Sequence, residues 1–129
     1  MTRRAVVVRV SLFSALPFLS SCDSGTLWED ETYEVVWIDT DDYVSVYRKL
    51  EDGAGIGRVD PRVIAVASDD RYLTAENVSL TTGLHGFFYI DKAKDNDLLN
   101  GSEITVGPLT REEFLRKQSE LGLPEPMAL

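Results

Sequence analysis

Apolar and polar residues alternate in short runs along most of this chain, the pattern of half-buried strands. Tyr33-Glu34-Val35-Val36-Trp37-Ile38 is rich in β-branched and aromatic residues. After the turn-forming Asp39-Thr40-Asp41-Asp42, Tyr43-Val44-Ser45-Val46-Tyr47 repeats that character, so the two segments predict a β-hairpin. Gly53, Gly55 and Gly57 then break the chain, and Asp60-Pro61 turns it into the apolar strand Val63 to Ala67. Ser68-Asp69-Asp70 offers an acidic corner before Arg71 to Ala75, a spacing suited to a second hairpin. A polar loop from Asn77 to Gly83 leads to a fifth strand, Gly86 to Ile90, and Glu103 to Val106 reads as a short sixth. In the fifth strand the neighbours Phe87 and Phe88 must point to opposite faces.

The period changes near the end of the chain. Thr110 with Glu113 forms a capping box, Leu109 and Phe114 a hydrophobic staple, and Gly122 a stop, which together predict one helix. Phe114, Leu115 and Leu121 give that helix an apolar side, which has to pack on the sheet because so short a helix is marginal alone. The expected fold is α+β and mostly β: a curled antiparallel sheet of about five to six strands with one C-terminal helix. One helix cannot cover both faces of such a sheet, so either the sheet closes on itself or an aromatic patch stays exposed.

The first residues follow different rules. Met1-Thr2-Arg3-Arg4 and the apolar run Ala5 to Leu19 have the layout of a signal peptide. Pro17 and the serines leave the run short of the roughly 20 apolar residues that a membrane span needs. The run ends in Leu19-Ser20-Ser21-Cys22, which resembles the lipobox of bacterial lipoproteins. That resemblance covers only the leader. It implies a diacylglyceryl group on Cys22, cleavage before it, and an extracytoplasmic, membrane-held product. Each buried methylene contributes about 0.8 kcal/mol, so two or three acyl chains anchor stably. Asp23 resembles the residue that retains enterobacterial lipoproteins in the inner membrane. The pair Arg3-Arg4 resembles a twin-arginine export signal, although Val6 and Val7 stand where that motif has bulkier residues.

The expected organisation is thus a signal peptide over 1–21, a polar tether over 22–30 and a single small β-rich domain over 31–129. Within the domain, Asp69-Asp70-Arg71-Tyr72-Leu73, Phe88-Tyr89-Ile90-Asp91 and Gly107-Pro108-Leu109-Thr110 resemble segments of small, uncharacterised proteobacterial lipoproteins. That likeness implies the fold and the anchor, and no activity.

Charge and composition narrow the function. The leader holds three of the thirteen basic residues and none of the twenty-two acidic ones, so the mature chain has a net charge near −12. Such a balance argues against nucleic acid, whose phosphates would be repelled, and against lying on anionic lipid; it favours a cationic partner. With Cys22 lipidated no thiol remains, and His85 is the one histidine, which excludes multi-His and Cys/His zinc sites. Gly53-Ala54-Gly55-Ile56-Gly57 lacks the spacing of a dinucleotide loop, and the following Arg58-Val59-Asp60-Pro61 cannot open a helix, so a hairpin or bulge loop is expected and no cofactor is implied. The acidic turn Asp39, Asp41 and Asp42 and the run Asp91, Asp95, Asn96, Asp97 and Asn100 could each gather oxygens around calcium, but neither has calcium-loop spacing.

No nucleophile with a base stands out. The expected function is therefore non-enzymatic: a membrane-tethered module binding a protein partner. A sharper version is an inhibitor or immunity protein that captures a cationic enzyme with the acidic turn Asp39, Asp41 and Asp42; the alternative is an accessory subunit of an inner-membrane or envelope complex. If Cys22 carries the anchor, Cys22→Ala leaves the precursor uncleaved and unlabelled by radioactive palmitate. Wild-type protein that stays unlabelled while Cys22 is intact would contradict the lipid reading.

Overall fold

The computed structural model describes residues 24–129; the leader, Cys22 and Asp23 lie outside the described residues. The strands form two antiparallel sheets. The first is a meander of β1 (Ser24–Glu29), β2 (Tyr33–Ile38), β3 (Thr40–Lys49) and β4 (Gly55–Val59), in that spatial order. The second contains β5 (Val63–Ser68), β6 (Tyr72–Val78), β7 (His85–Asp91), β8 (Val106–Leu109) and β9 (Met127–Ala128), ordered β8-β7-β6-β5-β9. Between β7 and β8 lie a 3₁₀ turn, Lys92–Lys94, and a four-residue helix α1, Gly101–Ile104; the long helix α2 spans Arg111–Leu121.

The mostly β, antiparallel character matches the sequence pattern, whereas the single curled sheet does not. Phe87 and Phe88 show why. Phe88 joins Tyr33, Val35, Val46, Leu73 and Ile90 in a core between the two sheets, and Phe87 packs with Tyr72, Phe114 and Leu123 on the opposite face. A sheet apolar on both faces needs two covers: the first sheet supplies one and α2 the other. The ladder changes sheets at Asp60-Pro61, between the buried ends Val59 and Val63, where proline has no N–H to continue it.

Other expectations shift locally. Ser24–Glu29, anticipated as polar tether, is strand β1, because Trp28 packs on the core and Trp37 leans over Gly25, where a Cβ would lie 2.6 Å from the indole nitrogen. The glycine-rich stretch is the expected hairpin: Gly53 (φ 88°) sits in the turn between β3 and β4, while Gly55 and Gly57 belong to β4, which pairs with β3 through a bulge. The proposed sixth strand over Glu103 to Val106 is displaced: Glu103 accepts from the Asn100 amide at 2.8 Å and closes the helical turn α1, so pairing begins at Val106.

Helix α2 carries its capping box and ends at Gly122 in the left-handed conformation (φ 74°), as its sequence requires. Its attachment is narrower than the apolar side suggests. Phe114 is fully buried, 5.3 Å between ring centroids from Phe87, while Leu115 and Leu121 are 45% and 38% exposed. Arg111 lies over the Phe87 ring and pairs with Glu125 at 2.8 Å, and Thr74 donates to the Pro124 carbonyl, which ties down the chain leaving the helix. Phe114→Ala should therefore cost about 3–5 kcal/mol, and Leu115→Ala under about 1 kcal/mol. Chemical denaturation measures both, and equal losses would contradict a helix held by one ring.

Candidate functional site

Two polar groupings stand out, one buried and one open. The buried one begins with a β-bulge. Val59 pairs with Val46 and Gly57 with Tyr47, so Arg58 is the extra residue of β4 and turns inward beside Val59. Its guanidinium grips Asp95: Nη2 donates to Oδ1 at 2.8 Å and Nε to Oδ2 at 3.0 Å, with both side chains fully buried. Tyr33 donates its hydroxyl to the same Oδ2 at 2.7 Å, and Arg48 stands 3.5 Å from it while donating to Asp97. Arg58 also donates from Nη1 to the Gly57 carbonyl and from Nη2 to the Asn96 carbonyl.

Burial alone would raise the pKa of Asp95; the bonds from Arg58 and Tyr33, with the charges of Arg58 and Arg48, outweigh it and hold the carboxyl below its ordinary value. Burial and the neighbouring Asp95 push the Tyr33 hydroxyl up, which keeps it a donor. A carboxylate held ionised between two guanidinium groups, with its lone pairs occupied, has neither the proton of a general acid nor the free basicity of a general base. The cluster is a fastening.

The other shifted carboxyls are engaged as well. Asp30 is partly buried, yet amides of Tyr33 and Thr32, the Ser68 hydroxyl and Lys92 keep its pKa low. Asp91 is bound by Arg71 at 3.0 and 2.8 Å, and Glu125 by Arg111. The residues considered for calcium thus diverge, Asp91 to Arg71, Asp95 to Arg58 and Asp97 to Arg48, and among the described residues no three His, Cys, Asp or Glu side chains gather to share an ion. His85 is exposed and lies 2.6 Å from Glu76, an ion pair on the sheet surface when the ring is protonated.

The open grouping lies on the outer face of the first sheet. Ile38, Asp39, Tyr43, Ser45, Tyr47, Gly57, Val59, Asp60 and Pro61 line a groove of about 460 Å³. Glycines shape it. Tyr47 leans toward Gly55, where a Cβ would lie 3.0 Å from the tyrosine Cβ, and nothing stands within 4 Å of the Cβ position at Gly57, its cross-strand partner. Asp39 adopts φ 68°, a left-handed turn conformation that aspartate and asparagine tolerate. None of the lining residues is basic, and among the described residues Asp39, Asp41, Asp42 and Asp60 have no ion-pair partner.

Of the residues singled out from sequence, Cys22 and Asp23 lie outside the described residues, Asp39 lines the groove, and Asp41 and Asp42 are exposed beside it. Sequence reasoning missed Gly57 and Asp60 as groove residues. The spacing of Gly55 and Gly57 held the signal, since alternate glycines clear one face of a strand. Comparison with known proteins finds no matching family model, no similar curated protein and no matching solved structure.

The fastening and the groove make opposite predictions for mutation. Asp95→Asn leaves buried Arg58 without its counter-charge and should cost about 3–5 kcal/mol at neutral pH, whereas Gly57→Trp should stay within about 0.5 kcal/mol. Because the folded pKa of Asp95 lies below the unfolded value near 3.9, its contribution is complete above that value and fades as pH falls toward the folded one. The penalty of Asp95→Asn should accordingly shrink in melts below about pH 3. A penalty independent of pH would contradict the ion-pair account.

Proposed function

We propose that this chain is a lipid-anchored extracytoplasmic lipoprotein whose domain binds a cationic protein partner and performs no chemistry on it. The observation that carries the reading is the groove: two tyrosines and two unpaired aspartates around an open glycine floor, with Asp41 and Asp42 beside it and no basic residue in the lining. Tyrosine faces and carboxylates together suit a guanidinium or ammonium group, which gains from the ring quadrupole as well as from opposite charge.

The distribution of cations supports this. The described chain contains ten basic residues, and Arg48, Lys49, Arg58, Arg71, Lys92, Arg111 and Lys117 are paired with acids elsewhere in the fold. The negative field around the acidic turn is thereby left for a partner. An inhibitor or immunity protein against a cationic enzyme fits that chemistry, with the acidic turn guiding encounter. A second reading, an accessory subunit of a membrane complex, is favoured by the strand register, which pairs Ser24 with Ile38 beside the acidic turn.

Electrostatic capture has a measurable form. For a cationic enzyme such as a lysozyme offered as partner, association should slow steeply between 50 and 500 mM salt, as expected once the Debye length falls to a few ångströms (about 10 Å at 0.1 M). The triple variant Asp39→Asn, Asp41→Asn, Asp42→Asn should associate about tenfold more slowly at low salt while keeping its melting temperature. Asparagine retains the left-handed turn at residue 39, so a loss reports charge. An association rate indifferent to salt and to these substitutions would contradict the proposal.

A further inference from the structure

Resting on that binding reading and on the anchor at Cys22, we infer that the Tyr43 groove is a membrane-proximal dock for the cationic edge of an integral membrane protein. The strand register is the first argument. Ser24 opens β1 and pairs with Ile38, so the acidic turn that starts at Asp39 lies at the same end of the sheet as the start of β1. Only Asp23 separates Ser24 from Cys22, at most about 7 Å of extended chain. The end of the sheet carrying Asp39, Asp41, Asp42 and Tyr43 is thus held at the height of the lipid headgroups.

The groove shares this placement. Strand β4 runs back alongside β3 and ends at Val59, opposite Val46, so Asp60 and Pro61 close the groove toward the anchored end. A larger hollow beyond the same two residues is lined by Leu80 and Leu84, which are 48% and 69% exposed. The end nearest the anchor therefore combines exposed leucines, an exposed tyrosine and unpaired carboxylates.

Charge selects the occupant. An anionic headgroup would be repelled by Asp39, Asp41, Asp42 and Asp60 over a screening length of about 8 Å. Arginine and lysine at the ends of transmembrane helices extend to the interface and place cations at this height. The anchor adds a further advantage: confining both partners to one bilayer raises their effective concentration, so a shallow groove suffices.

The test uses the full-length lipidated protein in zwitterionic vesicles, labelled through Glu51→Cys on the exposed β3–β4 turn, away from the groove. The probes are a polyleucine transmembrane peptide flanked by arginines, the same peptide flanked by asparagines, and a water-soluble peptide carrying the arginine flank alone. Energy transfer from label to peptide reads association. The arginine-flanked membrane peptide should associate at least tenfold more tightly than the other two, and Gly57→Trp or the pair Asp39→Asn with Asp60→Asn should abolish that preference, with circular dichroism confirming the fold.

Equal association of the arginine- and asparagine-flanked membrane peptides would overturn the inference. If the soluble peptide binds as tightly as the membrane one and Gly57→Trp blocks it, the groove binds cations from the bulk; the membrane dock is then overturned while protein binding stands. Failure of every arginine probe would overturn both.

Discussion

One carboxylate fastens this fold. Asp95 is fully buried between Arg58 and the Tyr33 hydroxyl, with Arg48 beside it, so the loop that follows β7 is bound to three strands of the other sheet. Desolvating an aspartate and an arginine is expensive, and the arrangement holds only because bidentate bonds and carbonyl acceptors satisfy the pair. The bulge in β4 exists in service of this contact, since without the extra residue Arg58 would face solvent. It is a specific way to align two sheets whose remaining contacts, Val35, Val46, Leu73 and Ile90 among them, are apolar and non-directional.

Around that fastening the layers follow from two-faced strands. The middle sheet is covered by aliphatic residues of the first sheet on one side and by Phe114 and Leu123 on the other. The outer face of the first sheet has no second cover among the described residues, and there Tyr47, Gly57 and the acidic turn come together. Interior acids and bases cancel one another, whereas the acidic turn is uncompensated. The charges that hold the fold are thus separate from those left unpaired on its surface.

Local chemistry made much of this legible. The strands over Tyr33 to Ile38, Val63 to Ala67 and Gly86 to Ile90, the capping box of Thr110 and Glu113, and the opposed Phe87 and Phe88 all follow from periodicity and caps. What escaped depended on distant partners. Ser24 to Glu29 reads as tether because its strand character comes from Trp37 folding over Gly25, and Leu115 reads as core because nothing local reveals that Phe114 is the one residue of α2 that is buried. Asp95 sits in a run of aspartates and asparagines that resembles a loose calcium loop, and only the bulge at Arg58, forty residues away in the chain to the nearest ten, gives it another purpose. The acidic turn was legible as a charge; its union with Tyr47, Gly57 and Asp60 was not, because the groove is assembled by cross-strand register.

The central claim is that recognition belongs to the outer face of the first sheet and leaves the buried fastening untouched. Nuclear magnetic resonance of the lipidated protein in neutral detergent micelles, titrated with an arginine-rich peptide, tests it most directly. The account predicts amide shifts confined to Ile38 through Tyr47, Gly57, Val59 and Asp60, with Arg58, residues 92–100 and α2 unmoved. Shifts centred on α2 or on Asp95 and its neighbours, or none anywhere, would contradict it.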